Sequence, residues 1–130
     1  MNILCTICAR QESKGVKNKN IKKLLNKPLI LHTIYQAKKS KIFTRIVISS
    51  DSEKILNIGK KSVDYIIKRP KKLAQHTTPK MHAIKHALIE SENYFNKKFH
   101  IVFDLDISSP LRKVRDIILA KNQFIKNDNY

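Results

Sequence analysis

Apolar positions along the chain recur at two spacings, continuous short runs and helical stripes, and the two alternate from one end to the other. Ile3 to Ala9 reads I-L-C-T-I-C-A, with six of seven residues apolar and β-compatible, the pattern of a central strand buried on both faces. Leu29, Ile30, Thr33, Ile34 and Ala37 then recur at helical spacing, which predicts a helix from Pro28, as its first residue, to about Ser40. Arg45 to Ser49 is a second β-branched run. Ser50 followed by Glu53 has the spacing of a capping box, so a helix is expected to start there and run to about Lys61 on Ile55, Leu56 and Ile58. Val63 to Ile67 reads as a third strand. Thr78 and Pro79 look like the cap and first turn of a helix ending near Tyr94, with Met81, Ile84, Leu88 and Ala87 as its buried stripe. Phe99 to Leu105 is the fourth strand, and Val114, Ile117, Ile118, Phe124 and Ile125 give a last amphipathic helix to about Lys126.

Strands alternating with helices of this length imply β-α-β crossovers, and hence an α/β fold, a three-layer sandwich around a mostly parallel sheet. The chain has 130 residues, the size of one domain, and a single domain over residues 1–130 is expected. No apolar run approaches the roughly 18 residues of a membrane span, and Met1 to Cys8 lacks the basic flank of a secretory signal. A cytoplasmic location is therefore expected.

The formal charge of +17 would suit a nucleic-acid partner if it were clustered. It is spread as lysine through every segment, which reads as a solvated background that still draws in a small polyanion. Cys5 and Cys8 form C-x-x-C inside a strand, where positions three apart face opposite sides. They cannot easily pair or share a metal, and are expected to be free thiols. His82 and His86 are four apart on a helix, but Ala83 follows the first, where the metalloprotease pattern needs Glu.

The most informative polar segment follows the first strand: Arg10, Gln11, Ser13, Lys14 and Gly15 lead on to Asn20. A cationic loop leaving a parallel strand emerges at the carboxyl edge of the sheet, where open α/β folds bind ligands. Arg supplies a planar fork of donors, Lys a point charge, and Gly15 lets backbone amides turn toward a phosphate oxygen. A basic surface loop in a basic protein is the alternative. Asp104 and Asp106 project to one side at the end of the fourth strand; such a pair can hold Mg²⁺ or simply flank an exposed edge. With two glycines in the chain, G-x-G-x-x-G cannot be built, and their positions exclude G-x-x-x-x-G-K-[ST].

The run A-R-Q-E-S-K-G-V-K-N-K-N resembles the signature of the acylneuraminate cytidylyltransferases, the CMP-sialic acid synthetases. The similarity continues, in order, through K-P-L-I-L-H-T-I, R-I-V-I-S-S-D-S-E-K-I, K-R-P-K-K-L-A and S-S-P-L-R-K-V-R-D-I. Ser13-Lys14-Gly15, where the 3-deoxy-manno-octulosonate enzymes have Ser-Thr-Arg, favours the nine-carbon branch, sialic, legionaminic and pseudaminic acids included.

The resemblance implies a Rossmann-like nucleotidyltransferase fold, transfer of CMP from CTP to a nonulosonic acid, Mg²⁺ as cofactor and a role in carbohydrate biosynthesis. It implies that Arg10 and Lys14 hold the triphosphate and stabilise the leaving pyrophosphate, with Gln11, Ser13 and Gly15 in the same loop. Asn20 would contact the nucleoside, Arg69 would lie beside the base, and Asp106, Ser109 and Arg112 would face the sugar. His76 stands where the family usually has Asp, and Thr78 to Lys80 replace small residues of the base pocket. The chain looks like the N-terminal half of such an enzyme. The usual metal ligands lie in the other half, so weak or no turnover is expected of this piece alone. CTP and a nonulosonic acid are the expected partners, with no nucleic acid and no membrane; a homodimer is left open.

Overall fold

The structure is a computed structural model that describes residues 1–10, 12–13, 16–17, 23–24, 27–70, 79–107 and 113–128, with backbone alone for those before residue 27 that follow Arg10 and for residue 128. Its centre is a four-stranded sheet made of β1 (Ile3–Ala9), β6 (Arg45–Ser50), β7 (Tyr65–Lys68) and β8 (Ile101–Asp104). The order is β7-β6-β1-β8, and every pairing is parallel. Between β1 and the first helix lie two short antiparallel ribbons, β2 (Glu12–Ser13) with β3 (Val16–Lys17) and β4 (Lys23–Leu24) with β5 (Lys27–Pro28). The helices are α1 (Leu29–Ser40), α2 (Glu53–Gly59, followed by a 3-10 turn at Lys60–Ser62), α3 (Lys80–Phe95) and α4 (Val114–Asp128). The expected α/β class and parallel sheet are borne out.

The chain steps from β1 to β6 to β7 through α1 and α2, then returns past β1 to β8 through α3. Because parallel crossovers are right-handed, reversing direction sends the helix to the other face. The side chains follow. Cys5, Ile7, Ala9, Ile46 and Ile48 pack with Ile30, Ile34, Ile55, Leu56 and Ile117 in the larger core. Leu4, Val47 and Ile67 pack with Ala87 of α3 in the smaller one. A strand order that reverses between β1 and β8 places the switch crevice there, which is where ligands of open α/β sheets bind.

Several boundaries differ from expectation for local reasons. Pro28 is the N-cap of α1 rather than its first helical residue, because it is still paired with Lys23 in the preceding ribbon. The cap of α2 is Ser52, whose Oγ accepts from the Ile55 N–H at 3.3 Å. Ser50 cannot serve, since β6 stays extended through it to pair with Ala9 and Lys68; its Oγ accepts from the Ser52 N–H instead. On α3 the buried positions are Ala83, Ala87 and Ser91, a small-residue stripe that lets the helix approach the sheet closely. Ile84 and Leu88 flank it half-buried, and Met81, expected in the stripe, is 66% exposed. β8 ends at Asp104, as its pairing with β1 runs only from Ile3 to Thr6. β7 begins at Tyr65 instead of Val63, because Asp64 is used to tie down β6: its N–H donates to the Ile46 carbonyl and its Oδ2 accepts from the Ile46 N–H at 2.7 Å. α1 and α3 both stop on a left-handed residue, Lys41 and Asn96, whose N–H closes the last turn.

Candidate nucleotide site at the carboxyl edge

The polar residues of the sheet gather at its carboxyl edge, on the α3 face. Alternation along β1 sends Cys5, Ile7 and Ala9 into the larger core and leaves Thr6 and Cys8 on the opposite face, with Leu4. Thr6 is in register with Asp104, and its hydroxyl donates to Oδ1 at 2.9 Å. The other carboxylate oxygen of Asp104 is 2.7 Å from Nζ of Lys80, the first residue of α3. Asp106 stands past the strand end, 4.0 Å from the same ammonium. The expected common side for the two aspartates is thus observed, with a lysine between them.

Arg69 follows β7 and is only 2% exposed. Its guanidinium turns inward: Nη2 donates to the Ala9 carbonyl at 2.8 Å and Nη1 to Ser49 Oγ at 3.5 Å. Its backbone N–H donates to the Ser50 carbonyl. One side chain therefore ties together the ends of β7, β6 and β1 at the point where the loop containing Arg10 departs. Among the described residues its buried Nε has no hydrogen-bond partner. Burial lowers the pKa of this guanidinium and the charge of Arg10 lowers it further, while Cys8 and Asp51 pull the other way.

Cys8 sits between Asp104 and Arg69. Burial, reinforced by the negative charge of Asp104, pushes its thiol up to about 12, against the lowering effect of Arg69 and Lys80. It is therefore a neutral thiol and a poor nucleophile. Neither cysteine is in a disulfide, as expected from their spacing. For Lys80, burial pulls the pKa down, but hydrogen bonding and attraction from Asp104, with help from Asp106, outweigh it and the net direction is up.

The fit of Mg²⁺ follows from the donors present. Mg²⁺ demands a near-octahedral set of oxygens and binds through one or two carboxylates. Among the described residues no group of three or more His, Cys, Asp or Glu side chains could hold a metal, and both oxygens of Asp104 already face a hydroxyl and an ammonium. The described donor set does not fit the ion. His86 Nε2 lies 3.5 Å from Glu90, its helical neighbour.

Of the residues singled out in the sequence, the fold brings Arg10, Arg69 and Asp106 to this one edge. Gln11, Lys14, Gly15, Asn20, Ser109 and Arg112 lie outside the described residues, as do His76 and Thr78, and of Ser13 only the backbone in β2 is described. Thr6, Cys8 and Ser49 were not singled out as site residues, and Lys80 only as part of a segment replacing small residues of the base pocket. For Thr6 a signal existed: it is the only polar residue in an otherwise apolar central strand. A further cavity of about 450 Å³ runs between β8 and α4, lined by Val102, Phe103, Leu105, Ile117 and Ala120 with Asp104 and Asp116. It is largely apolar. Among the described residues no helix is long and apolar enough to cross a membrane.

A parallel sheet of order β7-β6-β1-β8, with Arg69 buried and Arg10 half-buried at its carboxyl edge, is an open α/β fold of the kind that binds ligands at that edge. The chain belongs to the cytidylyltransferase family, whose model, described as Cytidylyltransferase, matches residues 4–130. It is 49% identical over 128 residues to the post-translational flagellin modification protein B of Campylobacter coli, covering 98% of this chain and 54% of that one. It is 46% identical over 109 residues to the CMP-N,N'-diacetyllegionaminic acid synthase of Campylobacter jejuni, covering 83% and 46%. The fold is shared with CMP:2-keto-3-deoxy-manno-octonic acid synthetase complexed with CTP, at a TM-score of 0.74 and 18% identity over 99% of this chain and 49% of that one. The chain thus spans about half the length of these relatives.

Proposed function

We propose that this chain is the nucleotide-binding half of a cytidylyltransferase that activates a nonulosonic acid with CTP in the cytoplasm. The anomeric hydroxyl of the 2-keto sugar acid attacks the α-phosphorus of CTP. The new P–O bond forms there, pyrophosphate leaves with the electron pair of the bond that breaks, and the hydroxyl proton is released. Little covalent chemistry falls to the protein, so its contribution is alignment and neutralisation of charge. Arg10 and Lys14 take the triphosphate, with donors from Gln11, Ser13 and the backbone at Gly15. Asn20 takes the nucleoside and Arg69 lies beside the base, while Asp106, Ser109 and Arg112 face the sugar.

The observation that carries this is the convergence of Arg10 and Arg69 at the end of β1, in a chain of this family. Like charges are unfavourable together in an empty site and become favourable when a polyanion enters it. Calorimetry with CTP and Mg²⁺ on wild type and Arg10→Ala tests it. Loss of a guanidinium–phosphate contact is expected to weaken binding about tenfold or more, and an affinity unchanged by the substitution would overturn the assignment. A second possibility, a nucleotide-binding piece silent in catalysis without a partner chain, is favoured by the span of about half its relatives. Pyrophosphate release from CTP and a nonulosonic acid by these residues alone would exclude it.

A further inference from the structure

The residue that opens α3 runs against the electrostatics of a helix. Helix N-termini carry a partial positive charge and favour acidic residues in the first turn, yet α3 begins with Lys80 and has no acidic residue there. The side chain reaches across the carboxyl edge and lies between two carboxylates, 2.7 Å from Asp104 and 4.0 Å from Asp106. Asp104, with a side chain only 14% exposed, is itself fixed by the Thr6 hydroxyl. The ammonium is thus anchored on its inner side while 45% of the Lys80 side chain remains open to solvent. Two carboxylates at the end of a parallel strand, with a cation seated between them, is an arrangement that an oxygen-seeking divalent ion could occupy. Here the seat holds a primary ammonium tethered to the chain.

We propose that Lys80 is a tethered substitute for a divalent cation at the carboxyl edge: it seats between Asp104 and Asp106 and cancels charge that would repel an incoming triphosphate. Lys80 is in this sense a positioning residue, acting through the two aspartates. Its action on a nucleotide rests on the function proposed above; its exclusion of a metal ion does not.

Two titrations on the full chain separate these. In the first, Mn²⁺ alone is titrated into wild type, Lys80→Met, Lys80→Arg and the double variant Lys80→Met/Asp104→Asn, with free Mn²⁺ read by its electron paramagnetic resonance signal. Lys80→Met is expected to bind one Mn²⁺ at least about tenfold more tightly than wild type. The gain should be absent in Lys80→Arg and lost in the double variant. In the second, CTP is titrated in EDTA, where Lys80→Met should bind about tenfold more weakly than wild type and recover with added Mn²⁺. Lys80→Gln, which keeps a donor to Asp104 without the charge, gives the same readings should the Met variant be unfolded by circular dichroism. No gain of Mn²⁺ binding in either neutral variant overturns the proposal. If wild type fails to bind CTP while the neutral variants gain Mn²⁺, the function proposed above falls and the role of Lys80 stands. If CTP binds alike to all variants in EDTA and none gains Mn²⁺, the reverse holds.

Discussion

Replacing Arg69 tests whether one buried guanidinium holds the ends of β7, β6 and β1 together. The group to count is the Ala9 carbonyl, which receives Nη2 at 2.8 Å. A charged hydrogen bond of this kind contributes about 1.5–3 kcal/mol. Against it stands the cost of burying the charge, visible in the lowered pKa of the guanidinium and in the unpartnered Nε. Arg69→Met removes both the bond and the buried charge while filling most of the volume, so the net loss is expected at the low end, about 1.5 kcal/mol. Arg69→Ala also leaves a cavity where the stem packed, adding about 2 kcal/mol. At about 4 °C per kcal/mol for a domain of this size, the melting temperature should fall by about 6 °C and 14 °C respectively. Urea denaturation followed by circular dichroism checks the ranking, with the midpoint shifting and the slope unchanged. Arg69→Met as stable as wild type would show that the guanidinium does not hold the ends of β1 and β6 together.

Gly59 ends α2 in an ordinary helical conformation, where alanine would normally gain up to about 1 kcal/mol in propensity. A Cβ there would instead drive into Cδ1 of fully buried Ile48 and stand 3.1 Å from Cδ1 of Ile34, so Gly59→Ala should cost about 1–3 kcal/mol. A rise in melting temperature would contradict that close approach. For Cys8 the sign follows from a folded pKa raised from 9.0 to about 12: the unfolded thiol ionises first, so the native state loses stability as pH rises between those values. The slope from this one group is at most about 1.4 kcal/mol per pH unit, and Cys8→Ala should show an alkaline limb shallower by that amount. Thiol labelling of native protein at pH 8 should likewise be slow at Cys8, with denaturant removing the protection.

The alternation of strand and helix, the parallel sheet and the identity of its central strand were all legible in the order of apolar residues, because each element's period is a local property of the chain. So was the family, since Arg10 and its neighbours are contiguous and their match to a family signature needs no third dimension. The fold alone decided which helices share a face: the reversal of strand order between β1 and β8 sends α3 to the far side, and no local period encodes that. It also decided the caps. Ser50 and Ser52 are equally good candidates by residue type, and the length of β6 pairing selects Ser52. The contacts at the carboxyl edge were the least legible. Thr6 meets Asp104 only through strand register, Lys80 reaches both aspartates only because the packing of α3 on the sheet brings its first residue to the end of β8, and Arg69 finds the Ala9 carbonyl sixty positions away. Short-range spacing specifies elements and loop chemistry; pairing register and helix packing, which close contacts over long separations, decide which charges face one another.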